Sequence, residues 1–335
     1  MRYSIILPVR NGGHFVKECI QSILSQSFPD FELVVLENSS VDDTLAWISS
    51  INDRRIKIFP AQQSLSIEEN WGRIVTTTKN EFMTITGHDD VLDKRYLETM
   101  DDLIKKHPDA SLYQAHFRYI NAEGKEVRKC LPMAEKQLPA DVLHNFLCSK
   151  MDIMGTGFMM RSKDYDNIGG IKPYPNLLFA DMELWTELSR KSYLAVARQE
   201  CFSYRIHPAS TTSVSNDFKT LKAFDQFVTY LKELKIKDAT LNEVIQKDSD
   251  VLLRQYCQGI THKVLRTPHK IRQTPSVKEI IDNFRDYGRS LKGNDQFEPM
   301  HFTKIRIGRL IDNNSLLHTL FLGFKTFFPK PVLKS

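Results

Sequence analysis

The stretch MTITGHDDVLD, residues 83–93, places a short apolar run directly before a histidine and two aspartates. Residues 82–86 are rich in apolar and β-branched side chains, which predicts a buried strand that ends at Gly87. Adjacent carboxylates at the end of a buried strand are costly unless something pairs with them. Ligands of open α/β sheets bind at that edge, and carboxylates there suit a hard divalent cation that holds substrate phosphates. We therefore predict a metal-side or phosphate-side role for Asp89.

For Asp90, two interpretations stay open. It either shares the role of Asp89 or caps a helix predicted to begin near Lys94.

The chain around this stretch alternates short apolar runs with helical periodicity. Four strands are predicted, at residues 3–9, 31–36, 55–59 and 82–86. Three helices are predicted between them, at residues 14–27, 41–50 and 67–78. This order predicts an α/β fold, Rossmann-like, with a mostly parallel sheet flanked by helices and right-handed crossovers. It is not the dinucleotide-binding type, because no GxGxxG follows the first strand. Ser40 with Asp43 is typical of a capping box for the second helix.

The pattern changes after the next helix, at residues 96–106. A hairpin is predicted from 111–121 and 126–130, followed by a helix at 141–148, a strand at 155–160, a helix at 182–191, and two strands at 193–198 and 201–206. Strand signals then stop, and amphipathic helices are predicted at 218–234, 241–264 and 277–291. We expect two domains, 1–215 and a helical C-terminal extension at 216–335, with the boundary near Ser215.

Composition restricts the class of protein. The 335 residues are 41% hydrophobic and 26% charged, which is ordinary for a soluble globular protein. A formal charge of +5 does not argue for nucleic acid but suits an anionic substrate or membrane surface. The five cysteines have no CxxC spacing, which predicts reduced thiols in a cytoplasmic protein and neither a disulfide framework nor a zinc site. We find no signal peptide and no spanning segment.

Five separated segments share one pattern, listed here in chain order: IILPVRN, VVLENSSVDDT, TGHDDVLD, FADMELW and YRIHPAS. With the segments in this order, the chain resembles family 2 of the inverting, nucleotide-sugar-dependent glycosyltransferases, which have the GT-A fold. The resemblance covers roughly residues 3–213 and is to members of the bacterial polysaccharide type. The resemblance implies transfer of a sugar, hexosyl or N-acetylhexosaminyl, from a nucleotide-sugar such as a UDP-sugar to a hydroxyl of a glycan or lipid-linked acceptor. It also implies Mn²⁺ or Mg²⁺ as cofactor and a role in cell-surface polysaccharides such as O-antigen, at the inner face of the plasma membrane.

The resemblance assigns roles to particular residues. Donor-nucleotide binding falls on the ends of the first two strands, on the loop after the fourth and on the last segment: Pro8, Val9, Arg10, Asn11, Glu37, Asn38, Ser39, His88 and Arg205. The resemblance places the segment of Arg205 over the donor phosphates. The expected metal ligands are Asp89, Asp90 and His207. Asp181 matches the general base, which must take a proton from the acceptor hydroxyl. The alternative for Asp181 is a helix N-cap, alone or combined with the base role.

Three positions depart from the family pattern. Gly87 stands in the first aspartate position of the DxD motif, and Ala180 stands where a glutamate is common. Glu37 stands in place of an aspartate, and its extra methylene leaves the base or ribose contact open. These departures keep an alternative function open: a nucleotide-sugar-binding protein of the same fold without turnover. The glycines of GTG at 155–157 and of Gly169-Gly170 are expected at positions that need backbone freedom.

The C-terminal tail is predicted to be an interfacial helix. In residues 315–335 the apolar side chains Leu317, Leu320, Phe321, Phe324 and Phe328 recur at helical spacing. Pro329 and Pro331 are expected to end the helix, and Lys325, Lys330 and Lys334 to reach toward lipid headgroups. The alternative is that the phenylalanines pack back on the catalytic domain or across a homodimer.

Overall fold

The structure is a computed structural model that describes residues 1–208, 217–272, 275–293 and 297–328. The predicted boundary near Ser215, the end of the YRIHPAS segment, and Pro329, Lys330, Pro331 and Lys334 lie outside the described residues. The chain divides into two compact units, Met1–Val142 with Met151–Val214 and Leu143–Lys150 with Ser215–Ser335. All five cysteines are free.

The first unit contains a ten-stranded mixed sheet in the order β3-β2-β1-β4-β9-β6-β10-β5, with β7 beside β6 and β8 beside β10. The strands are β1 Tyr3–Val9, β2 Phe31–Glu37, β3 Ile56–Pro60, β4 Phe82–Ile85, β5 Val91–Leu92, β6 Leu112–Ile120, β7 Glu126–Lys129, β8 Lys136–Gln137, β9 Met159–Arg161 and β10 Leu194–Arg205. The first four strands pair in parallel, as predicted. Their carboxyl ends therefore lie at one edge of the sheet, where ligands of such sheets bind.

The described residues of this unit contain six complete α-helices, α1 Gly13–Leu24, α2 Thr44–Ser50, α3 Ile67–Gly72, α4 Tyr96–Lys106, α6 Ser162–Asn167 and α7 Ala180–Ser189. The helix α5 Pro139–Leu147 contains the division between the two units, which falls after Val142. The α1 helix shows why the sequence folds this way. Its apolar residues recur every three or four positions, and Val16, Cys19, Ile20 and Ile23 are buried in the core formed with β1 and β2. The α/β class with a parallel central part is confirmed.

Several local predictions are wrong. The two strands predicted at 193–198 and 201–206 are one strand, β10, whose register shifts near Glu200 as a bulge does. The predicted cap at Ser40 is not present, since α2 begins after Asp43 and has no side-chain cap bond. Asp90 does not cap α4, because β5 lies between them and the N-cap residue is Arg95. A two-residue strand such as β5 carries no periodicity that a sequence pattern could reveal.

The second unit is helical. Its long helices are Asp217–Lys237, Ala239–Leu265, Val277–Lys292, Thr303–Asp312 and Ser315–Phe327. Ser276 and Glu279 form a capping box before the third of these helices, and Asp238 caps the second. The helix Thr303–Asp312 was not predicted. Among the helices in the described ranges, none combines the length and apolar character needed to cross a membrane.

Candidate functional site

The turn after β4 brings Asp89 and Asp90 to the sheet edge. The backbone N–H of Asp90 donates to the carbonyl of Gly87 (3.2 Å), which closes the turn. A Cβ at Gly87 would lie 2.7 Å from Asp89 Oδ1 and 2.8 Å from Asp90 Oδ2. Real Cβ atoms do not approach so closely, so no side chain fits at position 87 while both carboxylates keep these places. The departure from the DxD pattern at this position therefore has a steric reason.

Asp90 joins three segments of the first unit. It is buried, and its Oδ2 accepts from Thr156 Oγ1 (2.9 Å) while its Oδ1 accepts from the backbone N–H of Arg205 (3.0 Å). Burial, with the nearby charge of Asp89, raises the pKa of Asp90 well above its usual value. Both oxygens are thus occupied by protein donors, which favours a positioning role over the predicted metal ligation.

Arg205 also has its polar atoms engaged. It is 1% exposed, and each of its three guanidinium nitrogens donates to the protein. Nε donates to the carbonyl of Asp89 (2.7 Å), Nη1 to the carbonyls of Asn121 and Ala122 (both 3.1 Å), and Nη2 to Glu18 Oε2 (2.6 Å). The predicted contact with donor phosphates has no support in this geometry. Instead the side chain holds the Asp89 backbone in place.

Asp89 and His207 form the accessible polar pair of this edge. His207 Nε2 lies 2.8 Å from Asp89 Oδ2, and both side chains are only partly buried. Burial alone would raise the pKa of Asp89, but the hydrogen bond from His207 and the charge of His88 lower it overall. The pKa of His88 itself is lowered by burial. The structure therefore brings together Asp89, Asp90, Arg205 and His207. The contacts of Asp90 and Arg205 favour positioning roles in place of the predicted ones.

The ends of β1 and β2 make a tightly bonded double loop. Glu37 is fully buried, and its carboxylate accepts from the backbone N–H groups of Ser39 (3.1 Å) and Ser40 (2.6 Å). Asn38 exchanges two side-chain hydrogen bonds with the backbone of Leu65. Glu37 and Asn38 thus shape the loop, and neither carries its side chain free toward a ligand.

The exposed part of the same loop differs. Pro8 and Val9 are buried in β1, whereas Arg10 and Asn11 are exposed. Asn11 has φ +50° and Ser39 has φ +48°, a left-handed conformation that side chains other than glycine adopt seldom. Asn11 Oδ1 accepts from the backbone N–H of Val41 (2.9 Å). Of the residues of these two strand ends that were predicted to bind the nucleotide, Arg10, Asn11 and Ser39 have the exposure that a ligand needs.

The segment before α7 is strained. Asn176, Leu177 and Phe179 all have φ between +54° and +69°. Such backbone costs about 1–3 kcal/mol per residue and clusters at functional sites. Asn176 is fixed by its N–H, which donates to Glu68 Oε1 (2.7 Å). The residue at the N-cap position is Phe179, so the N-cap interpretation of Asp181 is wrong.

Asp181 follows in the first turn of α7 with few polar partners. Its Oδ1 accepts from the N–H of Met182 (2.9 Å), and in the described part of the chain no cation forms an ion pair with it. Burial raises the pKa of Asp181 to about 6. A carboxylate with this pKa is ionised at neutral pH and still a competent proton acceptor.

The sequence did not identify three residues that support this site. Glu18 pairs with Arg205, Thr156 donates to Asp90, and Asp42 accepts from the N–H of Gly13 (3.1 Å). Thr156 lies between the glycines of GTG, which marked the segment but not the hydroxyl. No sequence signal distinguishes Glu18 from the other charged residues of a helix surface. Gly157, Gly169 and Gly170 all have positive φ, so the predicted need for backbone freedom is confirmed at these three positions. It is wrong at Gly155, where φ is not positive and a Cβ would make an ordinary 3.5 Å contact with Trp71.

A second cluster lies in the other unit. Over the described ranges, His144, Cys148 and Asp248 are the group of three metal-type ligands whose donor atoms lie within 4.8 Å of one another. Lys150 Nζ lies 2.9 Å from His144 Nε2, and His144 Nδ1 lies 2.7 Å from Asp248 Oδ2. The ammonium donates to Nε2, so Nδ1 carries the hydrogen and donates to Asp248. This relay satisfies both ring nitrogens of His144 without a metal ion.

Comparison with known proteins agrees with this geometry. The family model described as Glycosyl transferase family 2 matches residues 4–169. An uncharacterized glycosyltransferase of Haemophilus influenzae is 24% identical over 281 residues, covering 79% of this chain and 83% of that protein. Glycosyltransferase RT0329 of Rickettsia typhi, also uncharacterized, is 23% identical over 308 residues, covering 85% of this chain and 92% of its own.

Among solved structures, the fold is similar to that of S. aureus TarS 1-349 in complex with UDP-GlcNAc. The TM-score is 0.61 at 13% identity, over 97% of this chain and 92% of the other. At this identity the likeness shows the fold, which is of the GT-A type with a helical C-terminal region.

Proposed function

We propose that this chain, a glycosyltransferase that belongs to glycosyltransferase family 2, moves one sugar from a UDP-sugar to a hydroxyl group of a glycan or lipid-linked acceptor, with inversion at the anomeric carbon. The observation that carries the proposal is the contrast between two carboxylates of one unit. Asp89 accepts a hydrogen bond from His207 and has a lowered pKa, whereas Asp181 accepts from the backbone N–H of Met182 and has a pKa raised to about 6. One group holds charge and the other accepts a proton.

The donor side of the proposal rests on the double loop after β1 and β2. Arg10, Asn11 and Ser39 have exposed or partly exposed side chains in a loop that Glu37 holds rigid. A rigid loop loses little entropy when it binds a nucleotide. UDP is the nucleotide bound in the TarS complex of similar fold, which supports UDP as the first candidate here. We expect the uracil and ribose to contact this exposed part.

The polar pair of Asp89 and His207 fits a divalent cation. The two donor atoms lie 2.8 Å apart on partly buried side chains, and a donor diphosphate would complete the coordination. An imidazole ligand suits Mn²⁺ better than Mg²⁺, which prefers oxygen ligands throughout. Asp89 and His207 would therefore hold Mn²⁺, with the hydrogen bond between them replaced by ligation from the carboxylate and from Nε2 of a neutral imidazole. When bound, the cation supplies charge neutralisation for the departing diphosphate.

The reaction proposed for Asp181 is a single displacement. Its carboxylate takes the proton of the acceptor hydroxyl as that oxygen forms a bond to the anomeric carbon. The bond from the anomeric carbon to the diphosphate oxygen breaks with its electron pair, and UDP leaves from the opposite face. The strained backbone at Asn176, Leu177 and Phe179 fixes the entry to α7 and with it the place of Asp181. One base and one displacement give inversion.

UDP release tests the function. The full chain is incubated with a panel of UDP-sugars and Mn²⁺, and we expect slow release of UDP even without an acceptor, since water can replace the hydroxyl. Asp89→Asn is expected to weaken Mn²⁺-dependent donor binding by about tenfold or more, as losses at metal sites usually do. The matched variant Asp90→Asn keeps an acceptor oxygen for Arg205 and is expected to change that binding by less than about threefold.

Two outcomes would contradict the proposal. Donor binding without UDP release, with and without acceptor extracts, would favour the alternative of a binding protein without turnover. Equal loss of Mn²⁺ binding in the two variants would mean that the turn collapses as a whole, and the metal would then not be assigned to Asp89.

A further inference from the structure

The helix Ser315–Phe327 carries an exposed apolar face. The face consists of six side chains that recur every three or four residues: Leu316, Leu317, Leu320, Phe324, Phe327 and Phe328. Phe327 is 83% exposed. Among the described residues, fifteen large hydrophobic side chains are exposed, and these six lie within thirteen consecutive positions. Single exposed apolar residues are ordinary, but a cluster of this kind marks a contact surface.

The opposite side of this helix is fixed to its own unit. His318 is 3% exposed, and its Nε2–H donates to the carbonyl of Leu265 (2.9 Å). The His318 ring stacks on His269 with centroids 4.1 Å apart. Phe321 is half-buried and meets the ring of His262 edge-on. Contrary to the sequence prediction, it therefore does not belong to the exposed apolar face. Because these contacts set the rotation of the helix, the apolar face points away from its own unit.

The helix also begins at a defined place. Asn314 caps it, and its Oδ1 accepts from the N–H groups of Leu316 and Leu317 (both 3.0 Å). The preceding helix, Thr303–Asp312, exposes two further apolar side chains, Ile307 and Leu310. The exposed apolar surface is therefore part of formed structure that the cap and the His318 contacts maintain.

The charges beside the face are positive. Between Pro299 and Phe328 the chain has one acidic residue, Asp312, which is buried and paired with Arg272 and His269. Lys304 and Arg306 are exposed, and Lys325 Nζ lies 5.5 Å from the centroid of the Phe324 ring. An apolar face with Lys325 beside it, in a segment whose exposed charged side chains are all cationic, complements a surface that is apolar inside and anionic outside.

We propose that this face binds the surface of an anionic lipid bilayer, with the helix lying in the interface plane. A helix of thirteen residues is about 20 Å long, which is too short to span but suited to the boundary between headgroups and acyl chains. The cations beside it add electrostatic attraction to anionic headgroups. A transferase held there would meet lipid-linked acceptors in the same layer. That last step rests on the proposed function, but the binding itself does not.

Vesicle sedimentation of the full chain tests the proposal. One set of vesicles contains equal parts of phosphatidylglycerol and phosphatidylcholine, and the other contains phosphatidylcholine alone. We expect binding to the anionic vesicles, weaker by about tenfold on the neutral ones and weaker as salt is raised. Lys304→Gln and Arg306→Gln are each expected to weaken anionic binding by about fivefold.

A matched pair of substitutions identifies the face. Leu320→Gln and Ile236→Gln each replace an exposed aliphatic side chain of a helix, but only Leu320 lies on the apolar face. We expect Leu320→Gln to weaken binding to anionic vesicles by about tenfold, and the pair Leu320→Gln with Phe324→Gln to abolish it. Ile236→Gln should bind as the parent does. UDP release in buffer without vesicles should be equal in all of them.

Three results would overturn the proposal. The first is a parent chain that sediments with neither kind of vesicle. The second is a parent dimer, measured by light scattering, that Leu320→Gln dissociates, which would make a second copy the occupant. The third is a melting temperature that Leu320→Gln lowers and Ile236→Gln does not, which would mean that the face is packed inside the protein. A chain that binds vesicles but releases no UDP would refute the proposed function and leave this surface assigned.

Discussion

The loop after β4 and the start of α7 each present a carboxylate, but their surroundings are opposite. At the loop, Asp89 accepts from His207 at 2.8 Å, and the carbonyl of Asp89 accepts from Arg205. At α7, Asp181 accepts from one backbone N–H, that of Met182, at 2.9 Å. The pKa of Asp89 is lowered despite burial, and burial raises the pKa of Asp181 to about 6.

The difference shows how one unit prepares two carboxylates for different work. Side-chain partners keep Asp89 ionised, so it can hold a cation at any physiological pH. Asp181 lacks such partners. The strained backbone at Phe179, and not an ion pair, sets the position of Asp181. Substitution of either carboxylate removes one side of this contrast.

The largest effect is expected at Asp181. Asp181→Asn keeps the shape of the side chain and an oxygen that can accept from Met182, but it removes the basicity. We expect kcat to fall by about a hundredfold or more, with little change in the affinity for the UDP-sugar donor. Steady-state UDP release with a glycan acceptor measures kcat, and titration with the UDP-sugar measures the donor affinity.

Glu183 is the matched control for that variant. Glu183 lies in the first turn of α7, as Asp181 does, but its Oε2 already accepts from the Tyr174 hydroxyl at 2.5 Å. We expect Glu183→Gln to retain most of the turnover. If Glu183→Gln loses the activity and Asp181→Asn keeps it, the base is Glu183 and the contrast with Asp89 fails.

The pH dependence is expected to show a smaller effect. A base with a pKa of about 6 is ionised above that pH, so kcat/KM for the donor should be flat above it and fall about tenfold for each pH unit below it. Protonation of Asp89 should cause no further fall of kcat/KM near pH 6, and so no second limb of the pH profile, because its pKa lies below the ordinary value. Asp181→Asn should remove the limb from the residual activity. A limb that stays in that variant would belong to another group.

The sequence revealed the elements of this contrast better than the contacts between them. Strand ends and motif order predicted the fold class and placed Asp89, Asp90, His207 and Asp181 at candidate sites. The roles within the loop were harder to predict, because hydrogen bonds to Asp90 come from Thr156 and from the backbone of Arg205, far away in the chain. Nothing in a linear pattern says which of two neighbouring carboxylates is turned inward.

The same limit applies to Gly87 and to the C-terminal helix. In the sequence Gly87 interrupts a metal-binding pattern, whereas the structure shows that a Cβ there would collide with both carboxylates. For the helix Ser315–Phe327, periodicity predicted an apolar face but could not say which of its residues face the protein. Phe321 and His318 turned inward because their partners, His262 and Leu265, lie on another helix.

The smallest effect, and the one that separates two roles by its sign, is expected at Glu18. This side chain is about half exposed and pairs with the buried Arg205. Glu18→Gln keeps an oxygen for Arg205 Nη2 but removes the charge, a loss of about 0.5–1 kcal/mol for a pair partly screened by water. If Arg205 positions the Asp89 backbone, the loop loosens and donor affinity falls about threefold. If Arg205 instead contacts the diphosphate, removing the competing carboxylate strengthens donor binding.

Donor titration with Mn²⁺ decides between these two roles of Arg205. The control is Glu187→Gln, which removes a partly exposed pair with Arg190 and should change neither donor binding nor turnover. Tighter binding in Glu18→Gln would return Arg205 to the phosphate-binding role that the sequence predicted, and the loop after β4 would then hold its charge by a different set of contacts.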